Sequence, residues 1–348
     1  MRDDLTPPDP PGVRPVKGVS VWRWVITTAV VLGLLTAAVF VPLPIVYLYL
    51  PGPVRDAEDL IEIEDRKTYS SEGSLFMTTV SVDTTVSLVE LLIAAADASQ
   101  AVVMKDDVTG GQSLEELQVE QRREMDNSQA NARQVVLSEL GFDQPSGKGA
   151  KVVTTITGSP ADGVLEADDV IIAVDSRPVS TTCEVGEIIG MHDTGETVEV
   201  TVTRDDRERT FDIEVERNPF DGSPAFIGVQ METVDFSFEP GVNIDFKTGK
   251  IAGPSAGLML ALALYDRLTP EDLTGGRQIA GTGTLECDGG VGPIGGIQQK
   301  VAGAEAAGAE IFLAPLANAE EARGAAGDIE VVPIATFAEA IEYLGEVG

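Results

Sequence analysis

Gly253-Pro254-Ser255-Ala256-Gly257-Leu258-Met259-Leu260-Ala261-Leu262-Ala263-Leu264 is a Gly-Pro turn running into a strongly apolar helix. Proline fits a first helical turn because its missing N–H needs no partner there. Ser255 therefore falls at a helix N-terminus, where unpaired N–H groups and the positive end of the helix dipole face outward. An oxygen nucleophile at such a place has donors ready for the oxyanion it generates. Gly257 lets a neighbouring backbone or a substrate come close. An isolated Gly-x-Ser is more often only a helix cap, so the reading has to rest on what accompanies it.

A serine hydroxyl needs a base. The single histidine, His192, ends a helix candidate in a different part of the chain, where it complements the helix dipole rather than serving catalysis. Lysine does the same work when burial keeps it neutral. Lys300 stands 45 residues after Ser255, behind the glycine-rich Gly292-Pro293-Ile294-Gly295-Gly296 and the apolar Ile297, a setting that suits a partly buried amine.

Pro-Ser-Ala-Gly at 254–257, Gly281-Thr282-Gly283-Thr284-Leu285, Asp288-Gly289-Gly290-Val291-Gly292-Pro293-Ile294-Gly295-Gly296 and Gly-Gly-Ile-x-x-Lys ending at Lys300 together resemble the Ser–Lys proteolytic domain of Lon proteases. The resemblance covers about 220–348, with an amino-terminal strand at 75–82. It implies Ser255 as nucleophile, Lys300 as general base and Thr282 as the hydroxyl that orients the lysine. Many Lon proteases carry an acidic residue where this chain has Ala252. They also carry an ATPase unit, whereas no Gly-x4-Gly-Lys-Ser/Thr phosphate cradle occurs in this sequence.

A second resemblance lies upstream. Gly158-Ser159-Pro160-Ala161 followed by Leu165-Glu166-Ala167-Asp168-Asp169-Val170-Ile171-Ile172-Ala173-Val174-Asp175 resembles bacterial PDZ domains. It implies a groove between a strand and a helix that takes a peptide by strand addition. Ser146-Gly147-Lys148-Gly149 is the candidate loop for a terminal carboxylate. Strand-like runs at 151–157, 170–174, 197–203 and 209–215 and a helix at 183–191 fill this unit.

Residues 1–20 are rich in proline and charge and read as a disordered cytoplasmic tail. Residues 21–50 are almost continuously apolar and read as one transmembrane helix, with Pro42, Pro44, Tyr47 and Tyr49 at its far interface. Arg2, Arg14, Lys17 and Arg23 precede it, so the positive-inside rule places the amino terminus in the cytoplasm and the catalytic part outside the membrane. Residues 55–145 form the first part of the Lon-like domain with a helical insertion. Its run 114–140 reads as surface helices or a lid, without chemistry of its own. The PDZ-like unit occupies 146–217, and the proteolytic domain 218–348 alternates strands at 226–229, 279–281, 311–314 and 329–333 with helices at 255–267, 297–307, 317–325 and 337–344.

The chain holds 57 acidic against 24 basic residues, a net charge of −33, which disfavours nucleic acid as a partner. Cys183 and Cys287 lie in different proposed domains, either as two thiols or as one interdomain disulfide. Two cysteines and one histidine are too few for a Cys/His metal cluster, and no cofactor is implied. The fold expected is therefore an α/β (α+β) Lon-type domain with an inserted PDZ-like β-rich domain and one amino-terminal transmembrane helix. The function expected is ATP-independent endopeptidase action on protein or peptide substrates at the cell membrane, in a homo-oligomeric ring by family resemblance. The alternative is a catalytically silent PDZ adaptor or scaffold at the cell surface. A signal-peptidase-like enzyme would share the chemistry but not the motifs.

Overall fold

The computed structural model describes residues 21–64, 66–142, 146–218, 225–237 and 242–347. The expected tail at 1–20 lies outside them.

Helix α1 spans Val21–Val39, 19 residues, and then stops. Pro42 and Pro44 follow, and proline disfavours helix both at its own position and at the residue before it. Val46–Pro51 is strand β1. The expected single helix over 21–50 is thus corrected: its last turns are a strand with Val46, Tyr47 and Leu48 buried. Val46 and Leu48 face one small core, while Tyr49 faces the opposite way, into a cleft. The uncharged part of α1, 24–39, is about 24 Å long, short of a hydrocarbon core of about 30 Å. Among the described residues no helix is long and apolar enough to cross a membrane. α1 nonetheless exposes large apolar side chains, among them Trp22, Trp24, Val30, Leu32 and Leu34.

β1 is the middle strand of a three-stranded sheet, between β5 (Val80–Asp83) and β6 (Ala101–Met104). Helix α2 (Leu88–Ala94), started by a Ser87/Glu90 capping box, covers one face. A short α3 (Lys105–Thr109) ends at left-handed Gly110. A second capping box, Ser113/Glu116, then opens α4 (Leu114–Glu139), a single helix of 26 residues.

The carboxy-terminal domain is built on a five-stranded sheet in the order β18-β17-β14-β4-β2. Strands β4 (Ser74–Met77), β14 (Gln278–Gly281), β17 (Ile311–Pro315) and β18 (Glu330–Ile334) are parallel, and the edge strand β2 (Arg55–Asp56) is antiparallel. The expected strand at 75–82 is two strands in two sheets, because the chain turns at Thr78-Thr79. Side chains alternate across the sheet. Leu75, Met77, Ile279, Ile311 and Leu313 face a core shared with α4, α6 (Gly257–Leu268) and α9 (Phe337–Val347). Phe76, Ala280, Phe312 and Ala314 face α7 (Ile297–Ala306) and α8 (Ala319–Ala325). This is a helix–sheet–helix sandwich with a parallel sheet buried on both faces. Residues Gly257–Leu264 of α6 are buried without exception. Each of its leucines contributes about 2 kcal/mol through burial. Two short antiparallel pairs complete the domain, β3 (Ile61–Glu64) with β13 (Asn243–Phe246), and β15 (Thr284–Leu285) with β16 (Val291–Gly292).

Between α4 and β13 sits an inserted β domain. Its sheet runs β11-β10-β8-β7-β12, with β9 (Arg177–Pro178) beside β8. The strands are β7 (Ala150–Thr155), β8 (Val170–Val174), β10 (Thr197–Arg204), β11 (Arg207–Glu214) and β12 (Val229–Thr233). Asp205 and Asp206, both with positive φ, form the two-residue turn from β10 to β11. Helix α5 (Thr182–Gly190) opens on a Thr181/Glu184 capping box. The expected boundary at 217 is corrected, because β12 closes the edge of this sheet rather than starting the next domain. Entry and exit form a narrow neck, where Ser146 and Ser237 exchange backbone hydrogen bonds of 2.8 Å each way. The N–H groups of Ser146, Lys148 and Gly149 donate to the carbonyls of Ser237, Val234 and Ser180. The expected carboxylate loop at 146–149 has spent those donors on the neck. Cys183 and Cys287 form a disulfide with Cα atoms 5.4 Å apart, which ties α5 to the turn after β15.

Candidate active site

Ser255 lies in a 3-10 turn, Pro254–Ala256, that leads into α6 rather than in the α-helix itself. Gly253 enters that turn at φ 95°, a conformation that favours glycine, and its N–H donates to the backbone carbonyl of Gln121 on α4 at 2.8 Å. Gly257 is needed for close approach: a Cβ there would stand 2.8 Å from Leu285 Cβ and from Ser128 Oγ. Thr282 follows the last residue of β14, and Lys300 sits in the first turn of α7. The two helices lie on opposite faces of the sheet and meet at the carboxyl end of a parallel strand, where α/β sheets open their crevices.

The three sequence-expected residues come together there. Lys300 Nζ is 2.7 Å from Ser255 Oγ and 2.8 Å from Thr282 Oγ1. The Thr282 hydroxyl donates to the Ser255 carbonyl at 3.0 Å, so it presents a lone pair to the amine and fixes where Nζ points. That carbonyl also accepts the Gly283 N–H at 2.9 Å, which pins the backbone of the serine. Lys300 is 3% exposed and Thr282 fully buried. Burial pushes the lysine down to about 7 from its ordinary 10.5.

Ser255 and Lys300 open into a cleft of about 1060 Å³. One wall is the turn from β4 to β5, with Thr78, Thr79 and Val80, and the other is α4, with Gln118, Gln121, Glu124 and Met125. Burial pushes the Glu124 carboxyl up, and the nearby Glu120 adds to it. Ser128 Oγ on α4 donates to the Pro254 carbonyl of the serine turn at 3.0 Å, and Asn131 Nδ2 to the Leu285 carbonyl at 2.7 Å and Gln129 Nε2 to Thr248 Oγ1 at 3.1 Å fix the helix against the segments around it. The run 114–140, expected as surface helices or a lid, is one helix with a buried face, α4, that forms a wall of the cleft. The Ser113-x-x-Glu116 capping box and the Met125, Ala132, Val136 stripe were the available signals. His192 stays in the inserted domain, with Nε2 3.0 Å from Asp175 Oδ2 and Nδ1 3.1 Å from the Ile188 carbonyl.

With this geometry in hand, comparison with known proteins identifies the two domains. Residues 232–343 match the Lon protease (S16) C-terminal proteolytic domain. Residues 113–215 match the PDZ domain. The Lon-type match carries Ser255, Thr282 and Lys300, and the PDZ match takes in α4 as well as the inserted sheet through β11. Over 91 residues the chain is 38% identical to the Lon protease of Roseiflexus castenholzii, covering 26% of this chain and 11% of that protein. It is 33% identical over 117 residues to Lon protease 1 of Bacillus subtilis, covering 31% of this chain and 14% of that one. The match therefore spans only a small part of these relatives' own length. Among solved structures, the PDZ domain of an SdrC-like protein from Listeria monocytogenes is 26% identical, covering 24% of this chain and 87% of that one, with a TM-score of 0.23. The chain thus combines a PDZ-like β domain with a Lon-type proteolytic domain in a mixed α/β architecture.

Proposed function

We propose that this chain is an ATP-independent serine endopeptidase working by a Ser255–Lys300 dyad. The observation that carries the reading is the amine of Lys300, buried with no carboxylate partner among the described residues, lowered to about 7 and 2.7 Å from Ser255 Oγ. A lysine in that state is neutral in part at neutral pH and accepts the serine proton as Oγ attacks the scissile carbonyl carbon. The Ser255 N–H at the turn before α6 serves the oxyanion. On collapse of the tetrahedral adduct the lysine returns the proton to the leaving amine, then takes one from the water that hydrolyses the acyl-enzyme. Thr282 keeps Nζ aimed at Oγ throughout. The PDZ-like groove between β12 and α5 selects protein substrates by strand addition.

The catalytic part works outside the cytoplasmic membrane, attached through the apolar amino-terminal segment, in this reading. The exposed apolar side chains of α1 and the Cys183–Cys287 disulfide support it, since disulfides persist in oxidising compartments. A ring of several copies follows from the Lon resemblance.

The test is cleavage of unfolded casein by the full chain in detergent, without ATP. Ser255→Ala and Lys300→Arg each lower the rate more than about a thousandfold, the latter because a guanidinium stays protonated and accepts nothing. The double variant is no worse than either single one. Undiminished cutting by Lys300→Arg removes the lysine from the mechanism, and absence of Ser255-dependent cutting in the parent favours the adaptor reading.

A further inference from the structure

The groove of the PDZ-like domain has two ends, and one of them lies beside the catalytic cleft. β12 is the outermost strand of its sheet, and its Val229 and Met231 pack against the same apolar core that takes Ile188 and Ile189 of α5. At one end the chain enters β12 through a turn at Gly228, φ 75°. At the other end Thr182, through its N–H and hydroxyl, lies 3.0 and 3.1 Å from Thr233 Oγ1. A peptide terminus held at the Gly228 end sends its upstream chain out past Thr182.

Thr182 is next to Cys183, and Cys183 is bonded to Cys287. Cys287 in turn lies three residues beyond Thr284, which lines the cleft with Ser255. Covalent geometry bounds the gap. With a Cα separation of 5.4 Å across the disulfide and at most about 3.6 Å per extended residue, Thr182 stands within about 20 Å of Thr284. α4 backs this bridge, with Gln134 Oε1 3.0 Å from the Cys183 sulfur and Asn131 Oδ1 3.4 Å from the Cys287 sulfur. The same helix holds the serine turn through Ser128.

We propose that the disulfide turns the two sites into a molecular ruler: a substrate whose free carboxy terminus occupies the β12–α5 groove is cut at a set distance upstream of that terminus. The inference rests on the endopeptidase reading above. Strand addition along β12 takes about four or five residues, and a gap of at most about 20 Å takes at most about six more at about 3.3 Å each, which sets the cut no farther than about 12 residues from the end. The substrate class is therefore proteins with an unstructured, unblocked carboxy-terminal tail at least that long.

The probe is a randomised pool of peptides about 24 residues long, long enough to fill groove and gap, offered with free and with amidated carboxy termini to the full chain, with cuts mapped by mass spectrometry. The free pool shows cuts clustered at a set distance, no farther than about 12 residues from the end, and amidation lowers that cluster at least about fivefold by removing the tethered binding event. Cys183→Ser with Cys287→Ser, or reduction of the parent, spreads the cuts along the peptides, while total Ser255-dependent cutting stays within about twofold. The retained cutting shows that the variant is folded. An unclustered map from the parent, or a cluster unmoved when the disulfide is removed, overturns the ruler and leaves the peptidase standing. No cutting that Ser255→Ala abolishes overturns both.

Discussion

Lys300 and Arg204 are both cations withdrawn from water, and the two domains surround them in opposite ways. In the PDZ-like domain, Arg204 donates from Nε and Nη2 to the two oxygens of buried Asp169 at 2.6 Å each, from Nη1 to Glu166 and from Nη2 to the Val164 carbonyl. The hydrogen bonds of Asp169 hold the guanidinium above its ordinary range. In the Lon-type domain, Lys300 is more deeply buried and its polar neighbours are two hydroxyls. Among the described residues no carboxylate pairs with it to offset the loss of water, and burial takes the amine down to about 7. Burial alone does not make a group reactive. Burial without a counter-ion does, and with one the same withdrawal from water makes a structural clamp.

The sharpest way to break this contrast is to give Lys300 what Arg204 has. Thr282→Asp places a carboxylate against Nζ, favours the ammonium and raises its pKa by about two units. The acid limb of kcat/KM, expected where the buried lysine titrates, about 7, then moves toward 9, and activity at pH 7 drops about fiftyfold in a pH–rate profile. An unshifted limb would show that the lysine does not govern the rate. The reciprocal change, Asp169→Asn, leaves Arg204 without its main partner and costs about 3 kcal/mol of stability in urea denaturation. Hydrolysis of a short peptide by the folded fraction stays unchanged.

The next effect is one of stability and pH. The folded pKa of Lys300, about 7, lies below its ordinary 10.5, so the unfolded chain binds more protons between those values. Stability from this group therefore rises with pH from about 7 to 10.5 and is lowest below 7. Lys300→Met removes that cost. The variant denatures at higher urea than the parent, with the largest gap below pH 7 and none near pH 10.5.

The smallest effect belongs to a carboxyl pair. Ser71 Oγ lies between Glu58 and Asp266, and burial first, then Asp266, pushes Glu58 up to about 7 from 4.5. Here the native state binds more protons over that window, so stability falls as pH rises from 4.5 to 7. Glu58→Gln flattens this slope, measured as the denaturation midpoint at a series of pH values. A slope unchanged by the variant would assign the proton elsewhere.

What the sequence disclosed followed local chemistry. A Gly-Pro turn, a serine and an apolar helix are contiguous, and the α/β alternation from 278 to 347 is written in short apolar runs with glycine breaks. What it concealed was decided at long range. An apolar run over 21–50 carries no period that separates a helix from a helix followed by a strand, and only pairing with β5 and β6 settles β1. β12 reads as the start of the next domain until β7 claims it across the neck. The partners of Ser128 and Gln129, buried polar groups on α4, lie more than a hundred residues away. Cys183 and Cys287 are 104 residues apart, and nothing near either one announces the other.

The neck at Ser146 and Ser237 has a topological consequence. Because the two residues pair backbone to backbone, the hydrolytic core sees everything between them as a hairpin turn one strand spacing wide. The closure entropy of that turn does not grow with its contents when the contents fold on their own. Lineages can therefore exchange the inserted PDZ-like domain without re-laying the sheet that carries Thr282. One pair travels as a matched set: an incoming domain without a cysteine at the start of its helix strands Cys287 as a free thiol, so the two half-cystines are gained or lost together.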